Sequence, residues 1–278
     1  MDVVLAAGAA ITDRAGRVLL VRRGREPQRG RWSVPGGRVE PDEPLDAAAA
    51  REALEETGLD VAVGPELWTV HLATGDGRVF EIHGFAAAPV GGSLRAGDDA
   101  DDVRWVDLRE LRRLPLTIHL LDHLRRGGIV PPLERIDEHA IEVPIEPDLA
   151  WSALERVVEG IGGRRLASAL GCEDTTASGP RPLEAWSSVP GFHVVSVERP
   201  ERLALAGRHR YADYELVFRL DAVPGGTRLR AETRADFPGP LGAAYRMMLL
   251  RTPLHALATR RVLARVARAA AAARSARR

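Results

Sequence analysis

A 23-residue stretch, Gly37–Leu59 (GRVEPDEPLDAAAAREALEETGL), limits what this chain can fold into more than any other part of it. Pro44 suits a first helical residue, because its missing N–H would be unsatisfied there anyway. Gly58 suits the left-handed position just past a helix end. A helix is therefore expected over about Pro44 to Thr57. At about 100° per residue, setting Glu52 at 0° puts Glu55 near 300° and Glu56 near 40°. The three carboxylates then share one face within roughly 100°. Ala47, Ala50 and Leu54 fall opposite, a small apolar stripe suited to packing on a sheet.

This crowding has a cost. Like charges at i,i+3 and i,i+4 destabilise a helix by roughly 0.2–0.5 kcal/mol per pair. The macrodipole also repels anions at a helix C-terminus. An acidic face left to solvent is the ordinary reading of such a pattern. A divalent cation accounts for the placement better, because hard cations take carboxylate oxygens and Mg²⁺ is held by a few carboxylates plus substrate phosphates. Gly36 and Gly37 let the backbone approach a metal or a phosphate closely, or serve as a plain turn.

The spacing of Gly37, Glu43 and Arg51-Glu52-Ala53-Leu54-Glu55-Glu56-Thr57-Gly58-Leu59 resembles the Nudix box, with every fixed position filled. Ala53 stands where a larger aliphatic residue is commoner. The resemblance covers about residues 1–128. It implies an α/β/α sandwich that cleaves a nucleoside diphosphate linked to another moiety, using Mg²⁺ or Mn²⁺. It further implies that Glu52, Glu55 and Glu56 are metal ligands or the general base. The Gly37 carbonyl would be a further ligand, and Arg51 with Glu43 would orient the carboxylates. Asp99, in the acidic run 98–102, lies six positions before Trp105, where several members carry an acidic residue. It reads equally as a metal ligand, as a base or as part of a solvated charge run. Glu52, Glu55 and Asp99 all stay open as the base. The Pro of many ADP-ribose members and the Tyr of dinucleoside polyphosphate members are missing around Thr74–Gly77, so nucleoside triphosphates and nucleotide sugars are the expected substrate classes.

The length, 278 residues, favours two domains. A net charge of zero says nothing about partners, and the single Cys172 excludes an internal disulfide, which fits a reducing cytoplasm. No basic region precedes the apolar run 3–10, and no stretch of about 18 apolar residues is long enough to span a bilayer. The chain has no Lys and no Asn, as expected of GC-rich bacterial coding.

The first half reads as strands over 3–12 and 17–23, the box helix, then strands over 61–72 and 78–86 joined by Thr74–Gly77. A short strand 103–105 and helices 108–114 and 118–126 follow. A first domain over 1–128 and a linker over 129–137, stiffened by Pro131-Pro132, are expected. The second domain, 138–278, reads as a strand 138–145, a helix 148–159, and a Gly- and polar-rich region to about Pro182. Strands follow at 183–187, 192–197, 202–206, 211–221 and 227–235, then helix from about Leu241, which Pro253 should kink. The pattern resembles the helix-grip fold of the START-like (SRPBCC) superfamily, in which an antiparallel sheet wraps a long C-terminal helix. That resemblance implies an apolar cavity for a hydrophobic ligand. The overall expectation is an α+β chain of two domains, with Trp151 and Trp186 in the core. From Phe237 to Arg278 there are nine Arg and no acid. The expectation there is a solvated helix face, with neither nucleic acid nor a membrane surface as partner.

Overall fold

The computed structural model describes residues 3–73, 78–97, 99–185, 187–252 and 254–276. The turn expected at Thr74–Gly77, together with Asp98, Trp186 and Pro253, lies outside the described residues. The chain divides into two compact units, Met1–Pro132 and Leu133–Arg278.

The first unit runs β1 (Val3–Ile11), β2 (Val18–Arg23), β3 (Trp32–Ser33), β4 (Gly36–Arg38), α1 (Leu45–Thr57), β5 (Leu59–Ala73), β6 (Val79–Gly92), β7 (Ala100–Val106) and α2 (Leu120–Arg126). A 3-10 turn, Leu111–Arg113, stands where a longer helix 108–114 was expected. One sheet has the order β4-β1-β6-β5 and a second β3-β2-β7. β1 runs parallel to β6, from Val3 opposite Val79 to Ile11 opposite Ala87.

Alternation along β1 and β2 makes two cores, because successive strand side chains point to opposite faces. Ala7, Ala9, Ile11 and Leu19 pack with Ala48, Ala49 and Ala53 of α1. Ala10, Val18 and Leu20 pack with Trp32, Trp68 and Leu120, Leu121 and Leu124 of α2. The unit is thus helix, sheet, helix in layers.

One sequence expectation fails here. Ala47, Ala50 and Leu54 do not form the packing stripe; Leu54 is exposed, and the buried residues of α1 are Ala48, Ala49, Ala53 and Thr57. The acidic face therefore adjoins the buried face instead of opposing it. Small alanines allow a close approach that brings Glu52 and Glu56 down beside the sheet. Of the two readings of Gly36 and Gly37, the plain turn is the one the backbone does not take. Both glycines belong to β4, which pairs antiparallel with Ala6–Gly8 of β1. A Cβ on Gly36 would come 2.6 Å from the Ala7 carbonyl oxygen, so only glycine fits that approach.

The second unit runs β8 (Glu134–Val143), α3 (Pro147–Glu159), α4 (Arg164–Leu170), β9 (Ser188–Val189), β10 (Phe192–Glu198), β11 (Arg202–His209), β12 (Ala212–Val223), β13 (Gly226–Asp236), α5 (Gly239–Arg251) and α6 (Leu254–Ala276). Its six strands form one antiparallel sheet in the order β8-β13-β12-β11-β10-β9. β8 starts inside the stretch expected to be linker, because Glu134–Asp137 pair with β13. α4 falls in a stretch expected to lack structure, and among residues 183–187 the described ones are not a strand. Trp151, Leu154 and Val158 of α3 and Leu263, Val266 and Ala270 of α6 pack together on Leu203, Leu205, Phe218, Leu220 and Leu229. Among the described residues no helix is long and apolar enough to cross a membrane.

A carboxylate cluster as candidate active site

The end of α1 is built to tolerate its charges. Gly58 takes the left-handed conformation (φ 69°) and donates its N–H to the Leu54 carbonyl at 2.8 Å. The segment after β6 then folds back over the helix end. Gly97 N–H reaches the Glu56 carbonyl at 3.0 Å, Arg95 N–H the Thr57 carbonyl at 2.9 Å, and Ser93 N–H the Gly58 carbonyl at 3.0 Å. These donors satisfy carbonyls that a helix end otherwise leaves bare. They also blunt the negative end of the dipole beside the three glutamates. The fit is close: a Cβ on Gly97 would stand 1.9 Å from the Glu55 carbonyl oxygen. This capping segment leads directly into Asp99 and β7.

Glu52 lies against β4. A Cβ on Gly37 would stand 2.4 Å from the carboxyl carbon and both oxygens of Glu52. Glu56 accepts the Gly36 N–H at 3.0 Å. Arg51 joins the acids. Its Nε and Nη2 donate to the two oxygens of Glu43 at 2.8 and 2.9 Å, and Nη2 also reaches the Arg38 carbonyl at 3.0 Å. Its Nη1 donates to Glu52 at 2.9 Å and to Glu55 at 3.3 Å. A guanidinium suits this bracing role because its donors are held in a fixed plane. Glu52 is 14% exposed at its side chain, against 57% for Glu55.

Electrostatics separates Glu43 from Glu52 and Glu56. Burial pushes the Glu56 carboxyl up to about 7, and the Gly36 N–H and the Arg23 charge only partly oppose this. Burial also raises Glu52, against the pull of Arg51. Hydrogen bonds from Arg51 hold Glu43 down to about 2. Glu43 is therefore a fixed anion, whereas burial disfavours the charged forms of Glu52 and Glu56. The donor set is all oxygen and hard, which fits a divalent cation of the Mg²⁺ or Mn²⁺ type.

Structure and sequence agree that Glu52, Glu55 and Glu56 share one end of one helix. Gly37 is beside Glu52. Asp99 is on the capping loop, and its charge is felt at Glu56. Its carboxylate, however, faces Arg25 at 2.7 Å, both side chains being exposed. Sequence reasoning left out Arg23, Arg25, Arg38 and Gly97. Of these only Gly97 carried a local signal, a glycine just ahead of an acidic run; the others depend on strand pairing distant in sequence.

Residues 3–126 match the NUDIX domain family. The chain is 36% identical over 109 residues to a CTP pyrophosphohydrolase of Escherichia coli, an alignment covering 39% of this chain and 79% of that protein. It is 37% identical over 106 residues to an ADP-ribose pyrophosphatase of Methanocaldococcus jannaschii, covering 37% of this chain and 62% of that one. Among solved structures, a MutT protein from Methanosarcina mazei Go1 aligns at 26% identity over 46% of this chain and 94% of that one, with a TM-score of 0.42.

Proposed function

This chain belongs to the Nudix hydrolases, which act on pyrophosphate bonds, and on that footing we propose that its first unit cleaves a nucleoside diphosphate joined to a further phosphate or to a sugar. The observation that carries the reading is the convergence of Glu52 and Glu56 on the Gly36–Gly37 backbone, with Arg51 bracing the cluster. Two relatives named for CTP and for ADP-ribose keep both substrate classes in view.

Glu52, Glu55, Glu56 and the Gly37 carbonyl would hold Mg²⁺ or Mn²⁺. Such a cation draws charge from the leaving phosphate and lowers the pKa of nearby water. The chain's own contribution is positioning and proton transfer. Arg51, anchored on Glu43 and on the Arg38 carbonyl, keeps Glu52 and Glu55 from swinging apart. Water attacks one phosphorus, its proton passes to a carboxylate, and the anhydride P–O bond breaks to release a phosphate-bearing product. Glu52 fits the base role best. Burial raises its pKa above the ordinary carboxylate value, and Arg51 fixes its place. Glu55 is more exposed, and Asp99 is engaged with Arg25.

The test is turnover of the purified protein with Mg²⁺ against nucleoside triphosphates, nucleotide sugars and dinucleotides. Cleavage between phosphates is expected for the first two groups. Inactivity across all three would refute the assignment.

For the second unit we propose a START-like role, the binding of an apolar ligand. Its support is an aromatic group at one end of the sheet. His209 lies 5.2 Å from both Tyr214 and Tyr245, Tyr211 stacks on Tyr245 at 5.5 Å, and Phe192 meets Tyr214 at 5.2 Å. All three tyrosines of the chain gather there. Native mass spectrometry of the freshly purified chain is expected to show a bound apolar molecule that organic extraction removes. A bare chain, unchanged by incubation with fatty acids or polyketides, would argue against the role.

A further inference from the structure

The outward face of α5 is unlike that of a solvated helix. Leu241, Met247 and Met248 are 68%, 51% and 53% exposed, and Ala243 and Ala244 are exposed with them. At about 100° per residue these five fall within one arc of roughly 160°, and Arg251 lies inside it. The opposite side of α5 is already committed. Tyr245 stacks on Tyr211 and meets His209 edge-on, and a Cβ on Gly242 would stand 2.6 Å from the Phe237 backbone. A helix on a protein surface ordinarily puts polar residues outward, so the outward face here is apolar where water should meet it.

The neighbouring helix supplies charge of one sign. Leu257 is 42% exposed, and Arg260, Arg261, Arg265, Arg268 and Arg274 of α6 are all exposed. No Asp or Glu occurs from Phe237 to the end of the chain, against nine Arg. Arg246 of α5 is paired with Glu134 at 3.1 Å, whereas Arg260, Arg261, Arg265 and Arg268 have no ion pair among the described residues. Exposed apolar side chains beside such arginines are what a helix needs to lie in an anionic lipid interface. The apolar groups enter among the headgroups and the arginines meet lipid phosphates. Nucleic acid would engage the arginines but gains nothing from Leu241, Met247 and Met248. A second copy of this chain on the same face would set its arginines against like charge.

We propose that α5 and the exposed face of α6 form a peripheral docking surface for an anionic bilayer. This reverses the sequence expectation of a merely solvated face. Read as one helix from Leu241 to the end, the stretch has its apolar residues spread all round. Only the packing of Tyr245 shows which side of α5 is left open.

Sedimentation of the full chain with large vesicles tests the proposal. The chain should sediment with phosphatidylcholine vesicles that contain about one-third phosphatidylserine, and not with phosphatidylcholine alone. Salt near 1 M, where the screening length is about 3 Å, should release it. Leu241→Glu/Met248→Glu should weaken binding at least about tenfold, since it puts two acids among the headgroups. Both positions are exposed, so circular dichroism should be unchanged, and turnover of the first unit's substrate should persist. Three outcomes would overturn the idea: no binding to phosphatidylserine vesicles, equal binding to neutral ones, or binding indifferent to the double variant. The last would mean that the arginines act alone, as they would toward nucleic acid. Light scattering covers the remaining case. A lipid-free dimer abolished by Leu241→Glu/Met248→Glu, together with absent vesicle binding, assigns the face to self-association instead.

Discussion

Glu56→Gln is expected to lower kcat/KM by well over the 10–100-fold typical of losing a partner outside the metal's immediate ligands, and at the same time to stabilise the metal-free protein. The two effects share one cause. Glu56 is half-buried, with its carboxyl pushed up to about 7 from an ordinary 4.5. A carboxyl raised in the folded state favours folding at low pH, where both states are protonated. That advantage is lost as pH rises from about 4.5 through about 7. Above that window the ionised Glu56 costs the folded state about 3 kcal/mol, at about 1.4 kcal/mol per pKa unit. Glutamine keeps the size of the side chain and an oxygen for the Gly36 N–H, but carries no charge to desolvate. Without metal, the variant should therefore melt higher than the parent at pH 8 and equally at pH 4. With millimolar Mg²⁺ the order should reverse, because a cation that binds only the folded parent stabilises it. Thermal melts at the two pH values, with and without Mg²⁺, read all four corners. Equal melting of parent and variant at pH 8 without metal would show that the site does not strain against its own charge.

Gly37→Ala should abolish turnover nearly as completely by a purely steric route. The added methyl would occupy the position of the Glu52 carboxyl group, 2.4 Å from three of its atoms. Nothing in the backbone angles of Gly37 forbids alanine, so the penalty lies in the neighbour. The Glu52 side chain is flexible and would move out, breaking its 2.9 Å bond with Arg51. Forced repacking of this kind costs about 1–3 kcal/mol of stability. Loss of a positioned base costs about 10²–10⁴-fold in rate. The distinguishing measurement is Mg²⁺ affinity by calorimetry beside kcat. If Glu52 serves chiefly as base, kcat should collapse while Mg²⁺ binding by Glu55 and Glu56 persists in weakened form. A variant with full activity would remove Glu52 from the chemistry.

Much of the site was legible in the chain because its logic is local. The spacing of Glu52, Glu55 and Glu56 places them on one side of any helix, and Gly58 ends that helix by its own conformational freedom. What the spacing could not supply was the neighbour of each face. Leu54 looked like packing and is exposed, while Ala48 and Ala49, silent in the pattern, lie in the core. Helical periodicity reports which residues share a face, not which face the sheet will cover.

The pairing of β4 with β1, the return of the 93–97 segment over the end of α1, and the Arg25–Asp99 ion pair each join residues distant in sequence. By itself the sequence determined the helix, its C-terminal limit at Gly58 and its three adjacent acids, because backbone propensities and a 3.6-residue repeat act over a few neighbours; Pro44, expected as the first helical residue, is extended and precedes the helix. The tertiary structure alone decided which acids are buried, what braces them and which face of α5 stays bare. Burial and charge environment are sums over contacts that exist only once the chain has closed on itself.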